Sequence, residues 1–235
     1  MSAAERFLAV TPASQGYEFS LYPAATCFSQ AQEILTSGKI AEKPGEKLDV
    51  LITAISKKGV DAFTKYQEFV NTHLEVPQED RERRLKPLGA VTLAKSSLHL
   101  GTQEWDKAVE AANAYIEWEA ANPPPPPAKT IVDVALMNKY RALIELCAKN
   151  LAPACDPYLK ETEEVIKAWH TLKPKGNKVY VFMVNGLSRR YLYAAAQAEN
   201  KKLDKAVISA YERKITDLQG ARLEVMEVAE VDELT

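Results

Sequence analysis

The residues able to do chemistry are few and scattered. His73, His99 and His170 stand one to a region, with no H-E-x-x-H, no H-x-x-x-H and no Cys/His cluster around them, so zinc ligation has no support. Glycine-rich phosphate cradles (G-x-G-x-x-G, G-x-x-x-x-G-K-[ST]) and the G-x-S-x-G elbow are absent. The run ETEE at 161–164 could supply helix carboxylates, but no E-x-x-H accompanies it. A solvated helix face is the better reading than a di-iron site. Cys27, Cys147 and Cys155 are odd in number and form no C-x-x-C pair, so they read as reduced small hydrophobes in a reducing compartment. No catalytic residue, metal or cofactor is expected, and the protein reads as a non-enzyme.

Charge points the same way. The chain of 235 residues carries a formal net charge of -2, which gives no long-range attraction to nucleic acid or to an anionic membrane. RERRLK at 81–86 is the densest basic cluster. It follows QED and has no interleaved aromatics, so an exposed helix face is the expectation, not a nucleic-acid patch. The N-terminal MSAAERFLAVTPAS lacks the basic region and long apolar run of a signal peptide, and no window is apolar enough to span a bilayer. The expected location is the cytoplasm.

The elements that must position these residues read as helices. Residues 1–23 contain Pro12, Gly16 and Pro23 and read as an arm with at most one short helix. A helix follows over about Thr26–Thr36. Leu48, Leu51, Ile52, Ile55, Phe63, Tyr66, Phe69 and Val70 keep a three/four spacing, with a kink possible at Gly59. The next helix opens near Pro77 with Gln-Glu-Asp, meets Pro87, and stops at Gly101. Thr102 reads as the N-cap of a helix through Trp105, Val109, Ala112 and Ile116. Five prolines, Pro123–Pro127, read as a stiff connector to a helix over Val134–Cys147 that Thr130 caps.

A further helix carries Leu159, Val165, Ile166 and Trp169. VYVFMV at 179–184 has strand composition, yet no partner strand exists for it, so a buried helix is expected. Beyond Ser188 the pattern predicts two helices broken near Asn200. Residues 223–235 form an acidic tail. The fold class is all-α, an up-and-down bundle of about seven or eight helices spanning 24–222.

The order of some of these pieces resembles the N-terminal helical domain of cyclase-associated proteins, a family of actin regulators. Trp118 near a helix end, Pro123–Pro127 and the helix IVDVALMNKYRALIEL are similar to that family's tryptophan, Pro-x-Pro crossing and following helix. Upstream, FVNTHLEVPQEDRERRLKPLGAV offers Phe69, Pro77, Leu85, Pro87 and Leu88 in a comparable order. Downstream, WHTLKP offers Trp169, His170 and Pro174. The likeness covers about Thr26 to Pro174. The family's basic, Asn- and Phe-rich stretch is replaced by KSSLHLGTQEWDKA, and its β-rich actin-binding region is missing.

The resemblance implies a bundle that binds actin, or a cofilin–actin complex, through exposed helix faces. The nearest candidate surface is Lys95, Gln103 and Asp106, with Arg81, Arg83 and Arg84 of RERRLK beside it. The alternative is a helical carrier of a lipid or other apolar ligand, its cavity lined by the aromatics at 63, 66, 69, 105, 118 and 169. A filled core is the plainer reading of those residues.

Overall fold

The structure is a computed structural model whose described residues are 3–10, 17–37, 47–73, 78–123, 131–174 and 177–232. Among them the chain is all-α, with nine helices: α1 (Ala3–Leu8), α2 (Tyr17–Thr36), α3 (Leu48–Thr72), α4 (Gln78–Gly101), α5 (Trp105–Ala121), α6 (Val132–Lys149), α7 (Asp156–Leu172), α8 (Asn177–Asn200) and α9 (Lys205–Asp232). Two compact units emerge, Met1–Asn138 and Lys139–Thr235, with the division inside α6. α2 begins inside the arm read as 1–23, and α9 continues from 223 to Asp232, so that part of the acidic tail extends the last helix.

In the first unit each helix packs against the next in the chain, α1 through α5, with α2 also meeting α4. The core joins Leu21, Ala25 and Phe28 of α2 to Phe63, Tyr66 and Val70 of α3 and Val91 and Leu98 of α4. Tyr22 lies edge-on to Phe63 and tilted against Tyr66, and Tyr17 meets Phe69 edge-on. α2 therefore starts well before the expected Thr26, with Pro23 inside it. Proline removes one backbone donor and disfavours a helix interior. Burial of Leu21, Ala24 and Ala25 beside it outweighs that local preference.

Gly59 and Gly89 mark close approaches in this unit. A Cβ on Gly59 would stand 2.9 Å from Leu98 Cδ1, and one on Gly89 would stand 2.3 Å from the Trp118 ring. α3 runs unbroken through Gly59, and the indole of Trp118 fills the notch at Gly89, two residues after Pro87 within α4.

A polar seam crosses the same unit. Asn138 Nδ2 donates to Ser96 Oγ and Ser97 Oγ, each at 2.8 Å. Gln32 Nε2 donates to the Ser97 carbonyl at 3.0 Å. Ser96, Gln32 and Asn138 are all buried.

The second unit holds the end of α6 with α7, α8 and α9. VYVFMV is helical, as expected, and α8 continues unbroken to Asn200. Its buried side, Met183, Val184, Leu187, Tyr191, Ala194 and Ala198, belongs with Leu143, Leu159, Val165, Ile166 and Trp169 in the core. Two tyrosine–carboxylate pairs brace it: Tyr191 donates to Glu163 Oε1 and Tyr211 to Asp156 Oδ1. Lys214 bridges to Glu163 at 2.8 Å and Lys139 to Glu161 at 2.6 Å. The three cysteines are free, with Cys147 and Cys155 buried and Cys27 half-buried. Pro123 is exposed at the end of α5. The rest of the proline connector, 124–127, and Thr130 lie outside the described residues.

Candidate functional site

The surface implied at 95–106 centres on the corner between α4 and α5. α4 ends at Gly101, where no larger residue fits: a Cβ there would stand 2.2 Å from Ser56 Oγ and 3.0 Å from Gln32 Nε2. The chain then reverses through a Schellman closure. The Gln103 amide donates to the Leu100 carbonyl at 3.2 Å and the Glu104 amide to the His99 carbonyl at 3.0 Å. The closure needs a left-handed residue, and Gln103 takes it with φ 59° where glycine is usual. α8 ends the same way, with Lys202 at φ 54° and the Leu203 amide on the Ala198 carbonyl at 2.9 Å.

Glu104 organises the corner. Its Oε2 accepts from Thr102 Oγ1 at 2.8 Å and from His99 Nδ1 at 2.9 Å, and its Oε1 pairs with Lys107 Nζ at 2.5 Å. The ammonium of Lys107, with the Thr102 and His99 donors, holds the Glu104 carboxyl down at about 2. His99 is buried, and burial pulls its imidazole below the usual value although Glu104 opposes the shift. The carboxylate thereby selects the neutral tautomer with hydrogen on Nδ1. Thr102 is not the expected N-cap. Its hydroxyl serves Glu104 and the His99 carbonyl, and α5 begins at Trp105 behind Glu104.

Of the residues expected to bind a partner, Gln103 and Asp106 are exposed on this corner. Lys95 is half-buried. Its Nζ donates to Gln67 Oε1 at 2.9 Å, and burial holds the ammonium below its usual range. Arg81, Arg83 and Arg84 belong to the first turns of α4, and their side chains lie outside the described residues. About 20 residues of helix at 1.5 Å each put them roughly 30 Å from the corner at the other end of α4. Gln103 and Asp106 thus share the corner, Lys95 lies about 9 Å of helix back along α4 against Gln67, and the arginines stand at the far end.

His99, Thr102, Glu104 and Lys107 escape a search for metal or catalytic spacing. The signal that would find them is a histidine two residues before a helix-stopping glycine, followed by Thr and Glu. The arrangement is a lock: every oxygen of Glu104 already has a donor, and the histidine nitrogen facing it is occupied. Among the described residues no three His, Cys, Asp or Glu side chains are placed to hold a metal ion, and no helix is long and apolar enough to cross a membrane. No protein-family model, curated protein or solved structure matches the chain.

Proposed function

We propose that the chain acts without chemistry, as a cytoplasmic helical interaction protein, with the α4–α5 corner as its contact surface and actin or a cofilin–actin complex as its partner. The observation carrying this reading is the way Gln103 and Asp106 are presented. Both are exposed, and the backbone beneath them is fixed by a Schellman closure and by three donors converging on Glu104. A contact surface held in place before binding loses less entropy on association. The partner's identity rests on the family resemblance.

Co-sedimentation with bare and with cofilin-decorated actin filaments tests it. Saturable binding is expected, weakened at least about tenfold by Gln103→Ala with Asp106→Ala. Arg81, Arg83 and Arg84 changed together to Ala ask whether the far end of α4 contributes. Absence of binding to both filament types, with unchanged disassembly, would remove actin as the partner. The carrier alternative has less to draw on, since Phe63, Tyr66 and Phe69 pack against Tyr22 and Tyr17 and Trp118 fills the Gly89 notch.

A further inference from the structure

The corner between α4 and α5 is closed by one small ring of contacts. His99 and Glu104 are joined twice, by the Glu104 amide on the His99 carbonyl at 3.0 Å and by His99 Nδ1 on Glu104 Oε2 at 2.9 Å. Thr102 Oγ1 spans the same pair, 3.1 Å from the His99 carbonyl and 2.8 Å from Glu104 Oε2. The backbone inside the ring is strained. Gln103 sits at φ 59°, in a region that disfavours a side chain, so the ring holds the turn against the local preference of the chain.

The ring depends on the charge of one group. The His99 side chain is only 6% exposed. A second proton on the imidazole would put a cation where water barely reaches it. The carboxylate beside it is already answered, because Lys107 Nζ lies 2.5 Å from Glu104 Oε1. Lys95, one turn earlier on α4, adds another ammonium. Among the described residues Glu104, Lys95 and Lys107 are the charged groups that act on His99, and Glu68 of α3 acts on Lys95 in turn. Protonation inside the closed ring therefore gathers three cations about the Glu104 carboxylate. With the ring open, the imidazolium meets water and titrates at its ordinary 6.5. Closed and open corners thus differ in their affinity for a proton, which is the condition for a switch.

We propose that the α4–α5 corner is an acid-sensitive latch: proton uptake at His99 opens residues 99–104 while α3 stays folded, and the fixed presentation of Gln103 and Asp106 is lost in acid. The opening stands on the corner alone. Its consequence for binding rests on the contact surface proposed above.

Amide hydrogen exchange of Thr102, Gln103 and Glu104 in the full-length chain, read by NMR and corrected for the intrinsic effect of pH, tests it. Protection should fall from pH 7.5 to 5.5 by up to about tenfold, the limit for a group of ordinary value 6.5 that protonates only in the open form. Low urea should leave that exchange unchanged, whereas Phe63 and Val70 of α3 should exchange more slowly and respond to urea. His99→Gln keeps a donor for Glu104 and has no proton to gain, so its corner should lose the pH response. Circular dichroism melts check that this variant folds. The wild type supplies a second measurement: once the His99 ring carbons report a protonated imidazole, the three amides should have lost their protection. Four results would each overturn the latch: protection indifferent to pH, an equal fall in His99→Gln, a fall that tracks urea as α3 does, or a protonated ring with the amides still protected. Co-sedimentation separates this inference from the one above. Filament binding should weaken between pH 7.5 and 5.5 more in the wild type than in His99→Gln. Filaments that bind neither protein would remove the partner, and the exchange result would still decide the latch.

Discussion

The stabilising contributions of His99 and Glu104 both fade as pH falls, because both groups are held below their ordinary values. His99 is held below its usual 6.5, so on acidification the unfolded chain takes up its proton first. Its contribution is complete above about 6.5 and declines below it. Glu104 is lowered from 4.5 to about 2, so the stability it adds is present above 4.5 and is lost as pH falls towards 2. Lys95 and Lys107 face the imidazole and reinforce its resistance to protonation. Urea midpoints measured from neutral pH downwards should show decline in both windows. His99→Gln should flatten the part just below 6.5, and Glu104→Gln the lower part. At neutral pH Glu104→Gln should be destabilising by only about 1 kcal/mol, because the carboxylate is partly in water.

Helices meet through single atoms at a few crossings, and those crossings are testable. Tyr140 of α6 donates to the Met183 carbonyl of α8 at 3.1 Å, over Gly186, where a Cβ would lie 2.0 Å from the same hydroxyl. Gly186→Ala should be destabilising by about 1–3 kcal/mol. In a Tyr140→Phe background it should be measurably milder, a coupling that a double-mutant cycle in urea reads directly. The two left-handed helix ends predict the opposite sign. Gln103→Gly and Lys202→Gly should each raise the melting point, by up to about 1 kcal/mol of stability.

Helix existence was plain from periodicity in α3, α5 and α7, because three/four spacing is a local property of the chain. The start of α2 was not, because Pro23 argues for a break and only the burial of Leu21, Ala24 and Ala25 overrules it. Thr102 misled for a related reason. A threonine after a glycine resembles an N-cap, and nothing local says that its hydroxyl will turn to Glu104. Polar Gln103 and Asp106 are exposed, as their types suggest, whereas the histidine lock beside them depends on residues brought together by the turn.

Across the whole molecule the cysteines report separately on the two units. Burial pushes the Cys147 thiol up to about 12 and raises Cys155 as well, while Cys27 is half-buried in the first unit. With a thiol reagent at mildly alkaline pH, Cys27 should react first. Cys147 and Cys155 should follow only as fast as the second unit opens, a rate that denaturant should accelerate. The first unit has a different safeguard in its seam of Gln32, Ser96, Ser97 and Asn138. Leucines in those places would pack nearly as well after one helix slid a turn along another. With the amides and hydroxyls there, the same slide would strand several unpaired polar groups in a dry interior, each at about 1–3 kcal/mol. The seam works as a ward lock does, by refusing every wrong key, and an all-apolar replacement could gain stability while losing the ability to choose a single alignment.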